Sequence, residues 1–267
     1  MSRAIESASE VPRPRDAARR ARLTAFALRA LIVALLAMVA LQVVTIWIPN
    51  MQNGEAPPGM DYGFYVERTQ SWMAGDGFYR DRQLHGPYDI ENGDALYPPP
   101  IVLLMLPWAL GAPAVLWWAI PIGLTAAALR RLRPPLSAWV VLAAVLVYRR
   151  TLIAIVLGNP AIWALAGILA GAAWGAPGVL AFVKPVLAPF ALTGARKRSF
   201  WIAVAAAGLI SIAFLPMWPT YLQVLRDAHN TRDVWYVIGE VPTGIALAFV
   251  AVFSSRRRAQ PSPDMPT

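Results

Sequence analysis

Lys184 stands in an apolar stretch of the sequence that offers it no counter-charge. No Asp or Glu occurs between Asp94 and Asp227. The same interval contains the adjacent pair Arg149 and Arg150. A cation in or near hydrocarbon costs several kcal/mol unless it is neutralised, so a lysine in this position indicates a functional site that an anionic ligand would complete. The alternatives are that Lys184 reaches out to water and that the two arginines bind lipid head groups.

Asp61 is the carboxylate best placed to act as a base. It follows the first apolar run by about a dozen residues and lies in a polar stretch from Asn50 to Tyr97, which holds eight of the fifteen acidic residues. Because this position is close to the membrane surface, Asp61 could take the proton of an acceptor hydroxyl from a lipid-linked substrate. The alternative is a solvated loop carboxylate.

Other chemical motifs are few. The two histidines, His85 and His229, lie on different loops and do not predict a metal site. His229 is a candidate for proton transfer or substrate binding. The sequence contains no Walker loop, dinucleotide fingerprint, zinc-ligand spacing or nucleophile elbow. We therefore expect neither a metal centre nor a bound cofactor.

The composition predicts that a membrane domain positions these residues. Hydrophobic residues make up 57% of the 267 residues even without the 18 glycines, whereas soluble domains reach about 45–50% with glycine included. This excludes soluble, disordered and collagenous proteins, and the absence of cysteine excludes a disulfide scaffold. The net charge of +9 comes from short basic clusters beside apolar segments, which argues against a nucleic-acid partner.

The apolar runs predict an all-α polytopic membrane protein with roughly eight spanning or re-entrant helices. Leu23 to Ile48 is long enough to span and too long for a signal peptide. Ile101 to Leu110 is too short and is expected at the interface, and the second span runs from about Ala114 to Leu129. The remaining predicted segments are Leu136 to Tyr148, Asn159 to Trp174, a hairpin from Gly178 to Leu192 broken at Lys184-Pro185, Phe200 to Met217, and Tyr236 to Ser254.

Three basic clusters predict the orientation of these helices. They are Arg130 to Arg133, Arg196 to Arg198 and Arg256 to Arg258. The positive-inside rule places them in the cytoplasm with both termini, which gives sixteen basic residues inside against seven outside. We expect a basic tail over residues 1–22, one membrane domain over 23–255 and a second tail over 256–267. Within the membrane domain, residues 50–98 form an extracytoplasmic loop that carries interfacial helices.

Four short motifs follow one another along about residues 23–253 of the chain. They are Asp61 with Tyr65 and Ala74-Gly75-Asp76-Gly77-Phe78-Tyr79, then Tyr97-Pro98-Pro99-Pro100 with Leu106-Pro107, then Gly158-Asn159-Pro160, and last Phe182-Val183-Lys184-Pro185. In this order they resemble the GT-C superfamily of polytopic glycosyltransferases. The most similar group is the bacterial family of polyprenyl-phosphate-mannose-dependent α-mannosyltransferase-like proteins, known as DUF2029 or GT87.

The resemblance implies a GT-C-like bundle that transfers a hexose, most commonly mannose, from a polyprenyl phosphate donor with inversion. The acceptor would be a glycolipid, a polysaccharide or a protein at the outer face of the bacterial cytoplasmic membrane. Asp61 would be the catalytic base, and cations would stabilise the phosphate leaving group. The candidate substrate- or phosphate-binding residues are Lys184, Arg149, Arg150, Asn159, Tyr65, Tyr79 and His229, of which the two arginines enter by position and not by a motif.

The chain departs from the family in two respects. Family members usually have more membrane helices and a longer carboxy-terminal half, and Asn159 stands where they commonly have glutamine. Two other functions therefore stay open. One is a non-catalytic membrane partner in envelope glycan assembly, and the other is a small transporter with the broken hairpin as its substrate site. The sequence has no evident inverted repeat to support the transporter.

Overall fold

The structure is a computed structural model that describes residues 14–54, 57–91, 93–229 and 239–259. This part of the chain is almost entirely helical, which confirms the predicted all-α class. Residues 14–22 were expected to belong to a basic tail, but they form the first turns of the first helix. Residues 1–13 and 260–267 of the two predicted tails lie outside the described residues.

The secondary structure follows the chain in this order. The α-helices are α1 Pro14–Gln42, α2 Ile48–Gln52, α3 Met60–Ala74, α4 Asp81–Leu84, α5 Ile101–Ala109, α6 Val115–Leu132, α7 Leu136–Val147, α8 Arg149–Leu157, α9 Ala161–Trp174, α10 Arg198–Ala213, α11 Trp218–Asp227 and α12 Val241–Ala259. A π-helical turn over Val43–Trp47 joins α1 to α2, and 3₁₀ helices occupy Ala176–Val183, Pro185–Gly194 and Leu215–Met217. Two short strands, β1 Tyr88–Asp89 and β2 Ala228–His229, pair in parallel.

The apolar helices associate this protein with a membrane. Two stretches, Ala18–Gln52 and Val115–Leu132, are long and apolar enough to cross one. The pair α7 and α8 is bent by 67°, and α10 and α11 are bent by 69°, so each pair is a broken span or a re-entrant loop. The described residues thus hold two to four spans by length and composition. The first two predicted spans match the two long stretches, and the total of roughly eight stays a prediction.

Helix α9 is the centre of the bundle. All residues from Ala161 to Ala173 are buried, as expected of a helix that is apolar on every side. Helix α6 runs parallel to it, because Trp117 Nε1 donates a hydrogen bond to the Gly158 carbonyl just before α9 begins, at 2.8 Å. At the other end, Arg131 Nε donates to the Ala173 carbonyl at 3.0 Å. The starts of α6 and α9 therefore lie at one end of the bundle, and the ends of both helices lie at the other.

The broken hairpin that the sequence predicts is present, with two 3₁₀ helices as its arms. Lys184 has an extended backbone between them, with φ −118° and ψ 108°. Proline at position 185 lacks an N–H donor and disfavours a helical conformation in the residue before it, which explains the break. The hairpin packs directly on α9, where a Cβ added to Gly171 would lie 2.8 Å from Gly178 Cα.

A second feature, absent from the sequence-based prediction, is the bend at Tyr148. Helix α7 ends there because the Tyr148 backbone is extended, with φ −66° and ψ 116°. The predicted segment Leu136 to Tyr148 ends at the same residue, directly before Arg149 and Arg150. In the structure they begin the separate helix α8, which returns towards α9.

An aromatic cluster attaches the loop helices α3 and α5 to the bundle. The ring centroids of Trp108 and Trp117 are 4.9 Å apart, and those of Trp117 and Trp163 are 5.3 Å apart. Tyr65 on α3 meets Tyr97 edge-on with centroids 5.0 Å apart. Since these residues are all buried, α3 has a fixed place relative to the start of α9.

Candidate active site

Asp61 occupies the first turn of α3, which is anchored to α8. Gly59 lies immediately before the helix with φ +77°, and its N–H donates to the Val156 carbonyl at 2.9 Å. A carboxylate in the first turn of a helix is stabilised by the helix dipole. Asp61 is half-buried in this position.

Asn159 connects Asp61 to the start of α9. Its Nδ2 donates to Asp61 Oδ2 at 2.7 Å. Its Oδ1 accepts from the Tyr97 hydroxyl at 2.6 Å and from the Ala161 N–H at 3.0 Å. Because two donors meet Oδ1, the amide nitrogen must point towards Asp61. Asn159, predicted from the sequence to be a substrate ligand, therefore holds the carboxylate.

The backbone before Asn159 requires a glycine. Gly158 has φ +69°, a conformation that costs little only without a Cβ. A Cβ at this position would lie 2.7 Å from Trp118 Cζ2 and 2.9 Å from Tyr62 Cβ. The close packing of these rings explains why a glycine precedes Asn159 in the motif.

Lys184 has a counter-charge within the protein. Its Nζ donates to Glu240 Oε1 at 2.5 Å, across 56 positions of the sequence. The counter-charge therefore comes from Glu240, which lies beyond the interval that contains no acidic residue, so Lys184 does not need an anionic ligand to neutralise it. Both side chains are mostly buried, with 17% of Lys184 and 11% of Glu240 exposed.

The surroundings of Asp61 shift the pKa of its carboxyl group. Burial raises the pKa of Asp61 above its usual range. The hydrogen bond from Asn159 and the positive charge of Lys184 lower this pKa again in part, and the negative charge of Glu240 raises it. A general base works best when its pKa approaches the working pH, so the shift is in the direction that base catalysis uses.

One cavity of about 530 Å³ brings most of the predicted residues together. Asp61, Tyr65, Asn159, Arg150 and Lys184 all line it. With the other lining residues, the wall carries three carboxylates, three phenols, an amide and two cations within one space. Such a set can bind a polar ligand that has both hydroxyl and anionic groups.

Three predicted residues do not line this cavity. Arg149 is exposed at the start of α8. His229 is exposed on β2, where its Nδ1 lies 3.0 Å from the Asp227 carbonyl oxygen. Tyr79 is buried behind the wall and stacks on Tyr221, which does line the cavity, with ring centroids 6.4 Å apart.

Sequence reasoning did not assign four polar residues of this cavity to the site, namely Asp94, Tyr97, Tyr221 and Glu240. Glu240 follows a stretch of sequence with no motif and directly precedes the last apolar run. A signal for it existed, since an intramembrane lysine requires a partner and Glu240 is the carboxylate next to an apolar helix. Tyr221 carried no such signal, because its place depends on the bend before α11.

A second cavity, also of about 530 Å³, is almost wholly apolar. Ile32 and Leu36 of α1, Trp118 of α6 and Leu165 of α9 contribute to its wall. Helix α8 separates the two cavities, because Ile155 faces the apolar one while its neighbour Ala154 faces the polar one. An apolar chain and a polar head group could thus be bound on the two sides of α8.

No three His, Asp or Glu side chains form a metal-binding group within the ranges that the structure describes. No protein-family model matches the chain, and no curated protein or solved structure matches it either.

Proposed function

We propose that this protein is an integral membrane glycosyltransferase that moves a hexose, most commonly mannose, from a polyprenyl phosphate donor to an acceptor hydroxyl. The acceptor is a glycolipid, a polysaccharide or a protein at the outer face of the bacterial cytoplasmic membrane, and both termini are cytoplasmic. The observation that carries the proposal is that Asp61 shares one cavity with Lys184 and Arg150. The donor supplies the reactive group, and no further cofactor is required.

The proposed reaction is a displacement with inversion at the anomeric carbon. Asp61 takes the proton of the acceptor hydroxyl while that oxygen attacks the anomeric carbon. The bond between this carbon and the phosphate oxygen breaks, and polyprenyl phosphate leaves. Lys184 and Arg150 stabilise the negative charge of the leaving group, since preorganised cations favour charge that develops in the transition state.

Three features support these roles. Asn159 hydrogen-bonds Oδ2 of Asp61, and among the described residues none bonds to Oδ1. The ammonium group of Lys184 has three donors, and one of them meets Glu240. The apolar cavity on the other side of α8 can take part of an isoprenoid chain.

The test compares the wild type with Asp61→Asn in detergent, with a synthetic polyprenyl phosphomannose donor and extracted envelope glycolipids. Asp76→Asn is the matched control, because Asp76 lies in the same predicted loop and is exposed. We expect transfer by the wild type and the control and its loss in Asp61→Asn, by at least about 100-fold, the lower bound for a general base. Equal activity in all three proteins would refute the role of Asp61.

The ion pair favours a second candidate, a non-catalytic membrane partner in envelope glycan assembly. Glu240 already neutralises Lys184, so the lysine has a structural explanation without a substrate. This function predicts that folded wild-type protein transfers no sugar from any polyprenyl phosphate donor. It also predicts that Asp61→Asn supports envelope assembly in cells as well as the wild type does.

A further inference from the structure

A basic pocket lies at the end of the bundle opposite to the Asp61 cavity. Arg130, Arg131, Arg133, Ala127 and Trp174 line this depression of about 430 Å³. All three arginines are exposed. The pocket closes the end of α6, one of the two stretches that are long and apolar enough to cross a membrane. It is therefore placed where such a helix leaves the hydrocarbon.

The charge of this pocket is not neutralised by the protein residues that the structure describes. The sequence has no carboxylate between Asp94 and Asp227. Among the described side chains, no ion pair includes Arg130, Arg131 or Arg133. Within the described ranges, Arg131 alone of the three is hydrogen-bonded to the bundle, from its Nε to the Ala173 carbonyl. Guanidinium groups have five N–H donors each, so most donors of this pocket face outward.

The backbone at Arg133 has an unusual conformation. Its φ is +48°, the one positive value for a non-glycine residue within the described ranges. It ends α6, and its N–H donates to the Leu129 carbonyl at 2.9 Å. Glycine is the usual residue in such a left-handed helix end. Arg133 therefore adds a third cation to the pocket at a position whose backbone conformation would suit glycine better.

We propose that this pocket binds the phosphate of an anionic phospholipid head group, with phosphatidylglycerol as the representative chemistry. Arginine forks bind phosphate oxygens through paired hydrogen bonds. Trp174 is half-buried beside them, as is usual for tryptophan at the level of the head groups. A phosphate at the end of a spanning helix is presented by a lipid, which favours a lipid over a soluble anion. The inference does not rest on the proposed glycosyltransferase activity.

The experiment measures binding of phosphatidylglycerol to the purified full chain in neutral detergent, from the increase in thermal unfolding temperature during a lipid titration. Phosphatidylcholine and inorganic phosphate are titrated in parallel. The test variant is R130Q/R133Q, which keeps the bond of Arg131. The control R19Q/R22Q removes the same charge from exposed positions on α1. We expect about 30-fold weaker binding in the test variant, or about fivefold per arginine, and little change in the control.

A third variant, R133G, separates binding from folding. Glycine suits the φ of position 133, so this variant should unfold at or above the wild-type temperature and still bind phosphatidylglycerol about fivefold more weakly. Unchanged affinity in R130Q/R133Q would overturn the proposal, as would an equal loss in the control. A stabilisation by inorganic phosphate equal to that by phosphatidylglycerol would also overturn it, since the pocket would then take a soluble anion.

Discussion

Removal of either partner of the Lys184–Glu240 ion pair is expected to cost nearly as much unfolding free energy as removal of both. The charged atoms are 2.5 Å apart, and the side chains are 17% and 11% exposed. Opposite charges at this separation attract by about 7 kcal/mol when the effective dielectric constant is about 20. Desolvation offsets much of this attraction, but the loss of one partner leaves a buried charge alone and costs about 3 kcal/mol.

The assay is a double-mutant cycle on the free energy of unfolding in mixed micelles titrated with denaturing detergent. We expect Lys184→Met to cost about 3 kcal/mol, Glu240→Gln about 2 kcal/mol, and the double variant about 2 kcal/mol less than their sum. Glu67→Gln is the control, because Glu67 is 58% exposed in its pair with Arg68. It should cost less than about 1 kcal/mol. If the losses of unfolding free energy at positions 184 and 240 were strictly additive, the proposed coupling between Lys184 and Glu240 would be refuted.

Three further predictions concern the polar network. Burial raises the pKa of Asp61, and a general base must be ionised, so kcat/KM should rise with pH through this raised pKa in a pH–rate profile. Asn159→Ala removes a hydrogen bond that lowers the pKa of Asp61, so this variant should show the rise in kcat/KM at higher pH. Tyr97→Phe removes one donor to the Asn159 amide, and kcat should fall by up to about tenfold with little change in KM. Gly158→Ala places a Cβ at φ +69° and should cost more than about 1 kcal/mol of unfolding free energy, whereas Gly208→Ala, in open space on α10, should be neutral or stabilising.

The spans and the broken hairpin could be predicted because their causes are local. Leu23 to Ile48 lies within the observed stretch Ala18–Gln52, since bilayer thickness and hydropathy together determine how long such a helix must be. The break at Lys184 follows from the chemistry of proline. Asp61 and Lys184, to which the resemblance assigns roles in one reaction, line the same cavity, and their roles stay a prediction.

The partners of these residues could not be predicted because they depend on long-range packing. The pairing of Lys184 with Glu240 joins residues far apart in sequence. From the sequence alone, Arg149 and Arg150 were equally good candidates for binding the phosphate group. Since successive helical residues point about 100° apart, only Arg150 faces the cavity once the bend at Tyr148 orients α8.

The length of α9 has a consequence for the membrane around the protein. Its 14 residues span about 21 Å, from the Asn159 end to the arginine pocket. The hydrocarbon core of a typical bilayer is about 30 Å thick, so the two ends cannot both lie at the level of unperturbed head groups. If the arginines hold phosphates of one leaflet, the Asp61 cavity lies about 9 Å inside the opposite boundary of the hydrocarbon. The bilayer must then become thinner beside α9, or water and head groups must descend to the cavity, and a lipid-borne substrate would reach Asp61 through that depression.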